Sequence, residues 1–365
     1  MKRTTAAAFA CFGLLSGPIT AAPQKMIIDT DFNTIGDDGQ VGIMAAQLYA
    51  QGTLELLGIT TVAGNNWLNQ ETADALRAVE RMGIADRVGV YAGAHDPLVH
   101  DHATITQEKA LFGGYIGGSW NRPEPADDQL TPPLDGFATK AKVQKQHAVD
   151  FIIDMVKKYP HDVTILSIGP MTNLALAIRL HPEIVPLIKR VVFMAGAFEV
   201  PGNTTPAAEF NVWFDPEAAR IVVRQPLDMT FIPLDVTDTV PMTKEIYERI
   251  TANGNSIIAR LLKNSYYAKI FEQSLNAKPY VYDTLALAYA VDPTLATDAP
   301  DMWIDVDISY GQGYGRTFGY PQARAATYMQ KAKVIRRFDN ERFYQLFTDL
   351  LTRPVPVNLV KPPGR

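Results

Sequence analysis

The sequence predicts an α/β fold: one domain with a mostly parallel central sheet flanked by helices, and an active site at the carboxyl-terminal ends of the strands. Three observations carry this. Apolar, β-rich runs alternate with helical patterns of about 10 to 15 residues, as in βαβ units. The 365 residues are 47% hydrophobic and 20% charged, an ordinary globular balance. The stretch "MIIDTDFNTIGDDGQVGI", residues 26–43, gathers Asp29, Asp31, Asp37 and Asp38 where an apolar run ends. In open parallel sheets that is where ligands bind.

Each element follows from local pattern. "KMIID" reads as the first strand, and "DDGQVGIMAAQLYAQG" as a helix closed by Gly52. "LELLGITTVAG" is the next strand, "NQETADALRAVERMG" a helix closed by Gly83, and "RVGVYAG" a third strand. Residues 94–140 then break the alternation. They are rich in Gly, Pro and aromatics, and read as an insertion over the mouth of the sheet. The alternation resumes with helix "VDFIIDMVKKYP", strand "VTILSIG", helix "MTNLALAIRLHP" and strand "IKRVVFMAG". Helix "DPEAARIVVRQ", strand "DMTFIPLDV" and helix "DTLALAYAVDP" follow. Residues 241–280 read as a helical, polar-aromatic second flank, and no linker marks a second domain.

Residues 1–22 have a different character. Lys2 and Arg3 precede an apolar core and then small residues, the order of a secretory signal peptide cleaved near Ala21 or Ala22. The expectation is a periplasmic or secreted protein whose domain runs from 23 to 365. The single cysteine, Cys11, falls in the leader, so the mature chain would have no disulfide. Loss of Lys2 and Arg3 would take the formal charge from −5 to −7. An acidic chain without a basic run is a poor partner for nucleic acid or an anionic membrane. No apolar run outside the leader approaches the roughly 20 residues of a membrane-spanning helix. A small neutral substrate or a cation fits better.

Several carboxylates at one strand end repel one another unless a cation offsets them. All-oxygen donors at a loop suit a hard ion such as Ca²⁺ or Mg²⁺. Blander roles exist: Asp37 or Asp38 as a helix cap, and Asp29 as a hydrogen-bond acceptor. Three later segments add to the cluster. "SIGPMTNLALA" is a strand end, a Gly-Pro turn and a helix start. "PGNTTPAAEFNVWFDPEAA" sets Asn203, Glu209 and Asn211 ahead of a helix capped by Asp215-Pro216-Glu217, and "VYDTLALA" puts Asp283 at a helix start.

Taken together, in this order and spacing, these segments resemble the inosine-uridine-preferring nucleoside hydrolase family over about residues 26–290, with a weaker continuation beyond. "DTDFNTIGDD" has the length of the family form D-T-D-x-G-x-D-x-D-D, and "GITTVAGN" resembles its second strand, ending at Asn65. The resemblance implies Ca²⁺-dependent hydrolysis of ribonucleosides to ribose and free base, through an oxocarbenium-like state with a metal-bound water as nucleophile. It implies Asp31, Asp38, Asp283 and the Ile168 carbonyl as metal ligands, with Asp31 also the general base. Asp37 would hold the ribose 2′-hydroxyl, and Asn203, Glu209 and Asn211 the remaining hydroxyls. Asn65 and Met194 would line the same pocket. Members often form dimers or tetramers, so a homodimer or homotetramer is implied, with no interface legible in the sequence.

The sequence departs from the pattern at three places. Asn33 replaces a glycine, Ile35 an aspartate, and Tyr282 the histidine that many members carry before the last aspartate. A phenol, with an ordinary pKa near 10, is a less ready acid than an imidazole near 6.5. Either Tyr282 donates to the leaving base through a network, or another group does, or stacking helps the base depart. His95, His100 and His102 of the insertion are candidates for that other group, and Phe112, Tyr115 and Trp120 for a base-stacking lid, with Trp67 and Trp213 either near the base or in the core. His147, His161 and His181 read as structural. Two other classes compete: a haloacid-dehalogenase-type phosphatase, from D-x-D after a strand, and a non-catalytic ribonucleoside- or ribose-binding protein that keeps the metal site.

Overall fold

The computed structural model describes residues 22–112, 117–274 and 276–356. The expected leader, all but its last residue, lies outside them, as do Cys11, Tyr115 and the Phe112 side chain. Strands β1 (Gln24–Thr30), β2 (Leu54–Thr61) and β3 (Gly89–Ala92) alternate with α1 (Asp37–Ala50) and α2 (Leu68–Arg81). After α3 (His102–Phe112) and α4 (Ala148–Lys158) come β4 (Val163–Ser167), α5 (Thr172–Leu180) and β5 (Arg190–Phe193). Next are α6 (Phe210–Phe214), α7 (Pro216–Val223), β6 (Met229–Phe231) and α8 (Leu234–Thr237). A helical flank, α9 (Lys244–Thr251), α10 (Ile257–Lys263) and α11 (Tyr266–Gln273), leads to α12 (Tyr282–Val291). The chain ends in β7 (Ala296–Asp298), β8 (Asp301–Val306), β9 (Thr317–Tyr320), β10 (Gln330–Val334), β11 (Arg337–Phe338) and α13 (Asn340–Thr352).

The main sheet has the order β3-β2-β1-β4-β5-β6-β10-β8-β9. Every pairing from β3 to β10 is parallel, and β8 and β9 add an antiparallel edge. The sheet is therefore the mostly parallel one expected. The central strands read as unbroken apolar runs because helices cover both faces. Ile28, Leu166 and Val192 bury on one face with α1, α12 and α13, while Ile27, Ile165 and Val191 bury on the other with α4, α5 and α7. Strand order reverses at β1, between β2 and β4. The crevice beyond such a switch point is where open α/β sheets bind ligands.

Two readings need correction. The run 228–236 is a short strand followed by a helical turn, α8; Pro233 has no N–H to continue the ladder. Residues 94–140, read as an insertion over the mouth of the sheet, hold a helix, α3, and two short 3₁₀ turns, at 118–121 and 127–129, and none of the described ones lines the cavity there. The antiparallel edge and α13 were not read from the sequence at all. Gly52 and Gly83 do close their helices, with φ of +75° and +69° that other residues adopt at a cost. Among the described residues, no helix is long and apolar enough to cross a membrane.

Candidate active site

The carboxyl ends of β1, β2, β4 and β5 meet the N-termini of α1, α6 and α12 around a cavity of about 870 Å³. Asp31, Asp37, Asn65, Ile168, Met194, Asn203, Glu209, Asn211, Tyr282 and Asp283 all line it, and Asp38 sits directly behind. The structure thus brings together the residues that the resemblance implied for metal, sugar and catalysis, but not the aromatic and histidine candidates of the insertion.

The carboxylates divide into distinct settings. Asp37, Asp38 and Asp283 offer oxygens that all lie within 4.8 Å of one another. Asp37 and Asp38 occupy the first turn of α1, and Asp283 the first turn of α12. Helix N-termini favour negative charge, and Asp37 accepts the backbone N–H of Asp283, which ties the two helices at this point. Asp38 accepts from Thr30, from Asn33 Nδ2 at 2.8 Å and from Asn65 Nδ2 at 3.0 Å. Asn33, the departure from the family glycine, therefore braces Asp38. Ile35, the departure from an aspartate, is buried and adds an apolar patch to the pocket wall.

Asp31 stands beside this trio. The closest threesome is Asp37-Asp38-Asp283, whereas the resemblance implied Asp31-Asp38-Asp283. Adjacent aspartates at a helix start differ only in which way each side chain turns, and spacing does not fix that. Asp31 Oδ2 accepts the Asn65 backbone N–H at 2.8 Å, while Asn65 Nδ2 donates to the Asp31 carbonyl at 3.1 Å. Gly64 and Gly169 pack against its carboxylate: a Cβ on Gly64 would lie 2.3 Å from Oδ2, and one on Gly169 2.9 Å from Oδ1. Asp29 faces elsewhere. It accepts from Thr60 at 2.6 Å and Asn173 at 2.8 Å inside the core, the hydrogen-bonding role weighed for it.

The far wall is preorganised from backbone. Glu209 caps α6, accepting N–H bonds from Asn211 at 2.8 Å, Gly196 at 2.9 Å and Val212 at 3.3 Å. Asn211 Nδ2 donates to the carbonyls of Met194 at 2.9 Å and Ile168 at 3.1 Å, while its Oδ1 is buried without a partner. Asn203 Oδ1 accepts from Phe210 N at 2.9 Å, which leaves its amide N–H₂ for the Tyr282 hydroxyl.

Burial pushes all these acids up. Asp31 rises to about 8, through desolvation and then the charges of Asp37 and Glu209. Glu209 reaches about 7 and Asp37 about 6, both from desolvation. Asp38 and Asp283 rise well above the usual carboxylate range for the same reason, reinforced by their neighbours' charge. A divalent cation among them would reverse the trend, and the all-oxygen donor set fits a hard ion.

One side of the pocket is aromatic. Tyr280 and Tyr282 stack with ring centroids 5.0 Å apart, and Tyr266 and Phe210 complete the wall. Burial, then the charges of Asp238 and Asp37, raise the Tyr282 hydroxyl further from neutrality. The insertion does not supply this wall: none of the described residues of 94–140 lines the cavity. His95 bonds Asp96 and Glu124; His100 is buried against Glu108 and the Trp213 carbonyl. Trp120 stacks on Phe214, and Trp213 is core, donating to Glu108 at 2.8 Å. The segment instead buttresses the site from the side, where Ser119 N donates to the Gly64 carbonyl at 2.9 Å and Arg122 to Asn66. His147 caps α4, and His181 pairs with Glu183. Sequence reasoning missed Asn66, Ser265, Tyr266, Lys278 and Tyr280 as wall residues. The polar-aromatic character of 241–280 was the one signal for the last four of these; Asn66 had none beyond its neighbour Asn65.

Residues 26–345 match the family model described as inosine-uridine preferring nucleoside hydrolase. The chain belongs to this family. It is 32% identical over 336 residues to the inosine-uridine preferring nucleoside hydrolase of Leishmania major, covering 91% of this chain and 98% of that one. It is 30% identical over 297 residues to the pyrimidine-specific ribonucleoside hydrolase RihB of Escherichia coli O9:H4, covering 80% and 86%. A solved plant nucleoside hydrolase, PpNRh1, superposes with a TM-score of 0.75 at 27% identity, over 91% of this chain and all of that one. Family membership leaves no place for the phosphatase reading.

Proposed function

We propose that this chain is a nucleoside N-ribohydrolase that cleaves ribonucleosides to ribose and a free purine or pyrimidine base, with Ca²⁺ held at the acidic floor of the pocket. One observation carries the reading. Asp37, Asp38 and Asp283 converge within 4.8 Å at the switch point, beside Asp31 and Glu209, with no basic side chain among them. Buried charge of one sign calls for a counter-charge. Asp37, Asp38 and Asp283 would hold the ion, with Asp31 and the Ile168 carbonyl on the same floor. When bound, such an ion neutralises the cluster and orients and polarises oxygen ligands.

The chain's own residues account for the rest. Asp31, fixed by the Asn65 backbone N–H beside the acidic cluster, is the carboxylate suited to take a proton from water once a cation keeps it ionised. Asn203, Glu209 and Asn211, locked by backbone contacts, present a rigid polar surface to the sugar; the free Asn211 Oδ1 accepts from a hydroxyl. Asp37, at the edge of the floor, is placed for the 2′-hydroxyl. Cleavage of a ribosyl C–N bond places positive charge on the sugar, which nearby carboxylates stabilise. Tyr280 and Tyr282 pack the base; a buried phenol raised above its usual range serves better as a wall than as an acid. The charge and apolar order of residues 1–22 supports export to the periplasm or beyond.

The test is sugar release from inosine, uridine and adenosine, with and without chelator. Release that stops with chelator and returns with Ca²⁺ supports the proposal. Ribose binding without release would instead establish the non-catalytic reading, and neither would refute both.

A further inference from the structure

We propose that Lys278 is a catalytic residue of this hydrolase, holding the negative charge that develops on the departing base. The inference rests on the ribohydrolase reading and deepens it. The pocket's charge is segregated. Of its acids, Asp31, Glu209 and Asp283 are buried at the floor, each no more than 4% exposed, and Asp37 is half-buried. Lys278 is exposed at the mouth and, among the described residues, is the one basic side chain lining the cavity. It leads directly into Pro279, Tyr280 and Tyr282, the wall on the base side. No ion pair ties it to a carboxylate among the described residues.

Something must offset the charge of the leaving base, and the usual donor type is absent. All six histidines of the chain lie elsewhere: three in the 94–140 segment, and His147, His161 and His181 around α4 and α5. None lines the pocket. Buried carboxylates and an exposed ammonium thus line one cavity, with the ammonium in the segment that carries the aromatic wall. This arrangement favours the separated charges, positive on the sugar and negative on the base.

The step balances as follows. The C1′–N bond breaks and its electron pair leaves with the nitrogen, giving a base anion held by the Lys278 ammonium, which keeps its proton. A water oxygen bonds to C1′ and its proton passes to Asp31. The base anion takes a proton from solvent and Asp31 returns one to it, so nucleoside and water become ribose and neutral base.

The experiment measures kcat and KM for wild type, Lys278→Met and Lys278→Arg on uridine, inosine and p-nitrophenyl riboside. p-Nitrophenolate carries its own charge well, so it needs the cation least. Lys278→Met should lower kcat on uridine and inosine on the order of tenfold, less than an enclosed oxyanion donor because the group is solvent-exposed. It should change the p-nitrophenyl substrate by less than threefold, and Lys278→Arg should recover most of the loss. Equal losses on all three substrates, a change confined to KM, or no change overturns the role while leaving the ribohydrolase reading intact. A wild type inactive on every substrate overturns both.

Discussion

Gly64→Ala tests the placement of Asp31 through a residue that touches no substrate. A methyl at position 64 would lie 2.3 Å from Asp31 Oδ2, 2.6 Å from its Cβ and 2.8 Å from its Cγ. Ordinary van der Waals contact begins near 3.4 Å, so the carboxylate or the loop must shift by roughly 1 Å. The Asp31 side chain is not a free end that can swing away. Asn65 N–H holds it at 2.8 Å, Gly169 closes its other side, and it is buried to 1% exposure. A 1 Å misplacement of a reacting group lowers rate about 100-fold, equivalent to about 2.7 kcal/mol. Overpacking also destabilises the fold by about 1–3 kcal/mol. The assay is kcat/KM on inosine and uridine beside thermal denaturation. Gly254→Ala is the control, because a Cβ there meets nothing within 4 Å. The expected result is a fall near 100-fold with a folded protein, and full activity for the control. Wild-type activity in Gly64→Ala would refute the claim that Asp31 works from this position.

Three further outcomes follow from the same geometry. Tyr282→Phe should change turnover of inosine and of p-nitrophenyl riboside by similar factors, below about tenfold, because the ring remains to pack the base; a loss of roughly 10²–10⁴ on inosine alone would restore the hydroxyl as the leaving-group acid. Glu71 is fully buried, accepts the Asn66 N–H at 2.7 Å and is raised well above the carboxylate range by burial, then by the charge of Asp31. Glu71→Gln should therefore be nearly neutral, while Glu71→Leu, which strands that N–H, should cost about 1–3 kcal/mol in denaturant titration; equal losses would contradict a neutral Glu71. Without metal, the folded state holds protons that the unfolded chain has released, since Asp37, Glu209 and Asp31 rise to about 6, 7 and 8. Chelated protein should thus lose stability as pH rises from about 5 to about 8, and Ca²⁺ should restore more at pH 8 than at pH 5 in thermal melts. A chelated protein steadier at pH 8 would reverse the sign.

Much of this was legible before any coordinates. The apolar run into Asp29 and Asp31 marks a buried parallel strand, and the acidic start of α1 marks a helix N-terminus; the two together locate the switch point. Asn203, Glu209 and Asn211 could be nominated only through the family resemblance, whose spacing they keep; Glu209 and Asn211 then prove to sit at the start of α6, with Asn203 in the loop before it. What remained hidden depends on packing. His102–Phe112 lacks the apolar spacing of a helix that buries a face, so α3 went unread. The edge strands β8 to β10 are short, four to six residues each, and separated by irregular Gly- and Pro-containing segments, which local pattern does not resolve. Lys278 and Tyr280 belong to an irregular lead-in to α12, and only the approach of that segment to the end of β1 makes them pocket residues. The grouping of Asp37 with Asp38 and Asp283 turns on side-chain direction at one helix end.

Calorimetric titration of chelator-stripped protein with Ca²⁺ tests the central claim most directly. One ion per chain should bind to wild type, and Asp283→Asn and Asp38→Asn should each abolish binding while remaining folded. No saturable binding to wild type, or unchanged binding in both variants, would contradict a divalent cation at the convergence of α1 and α12.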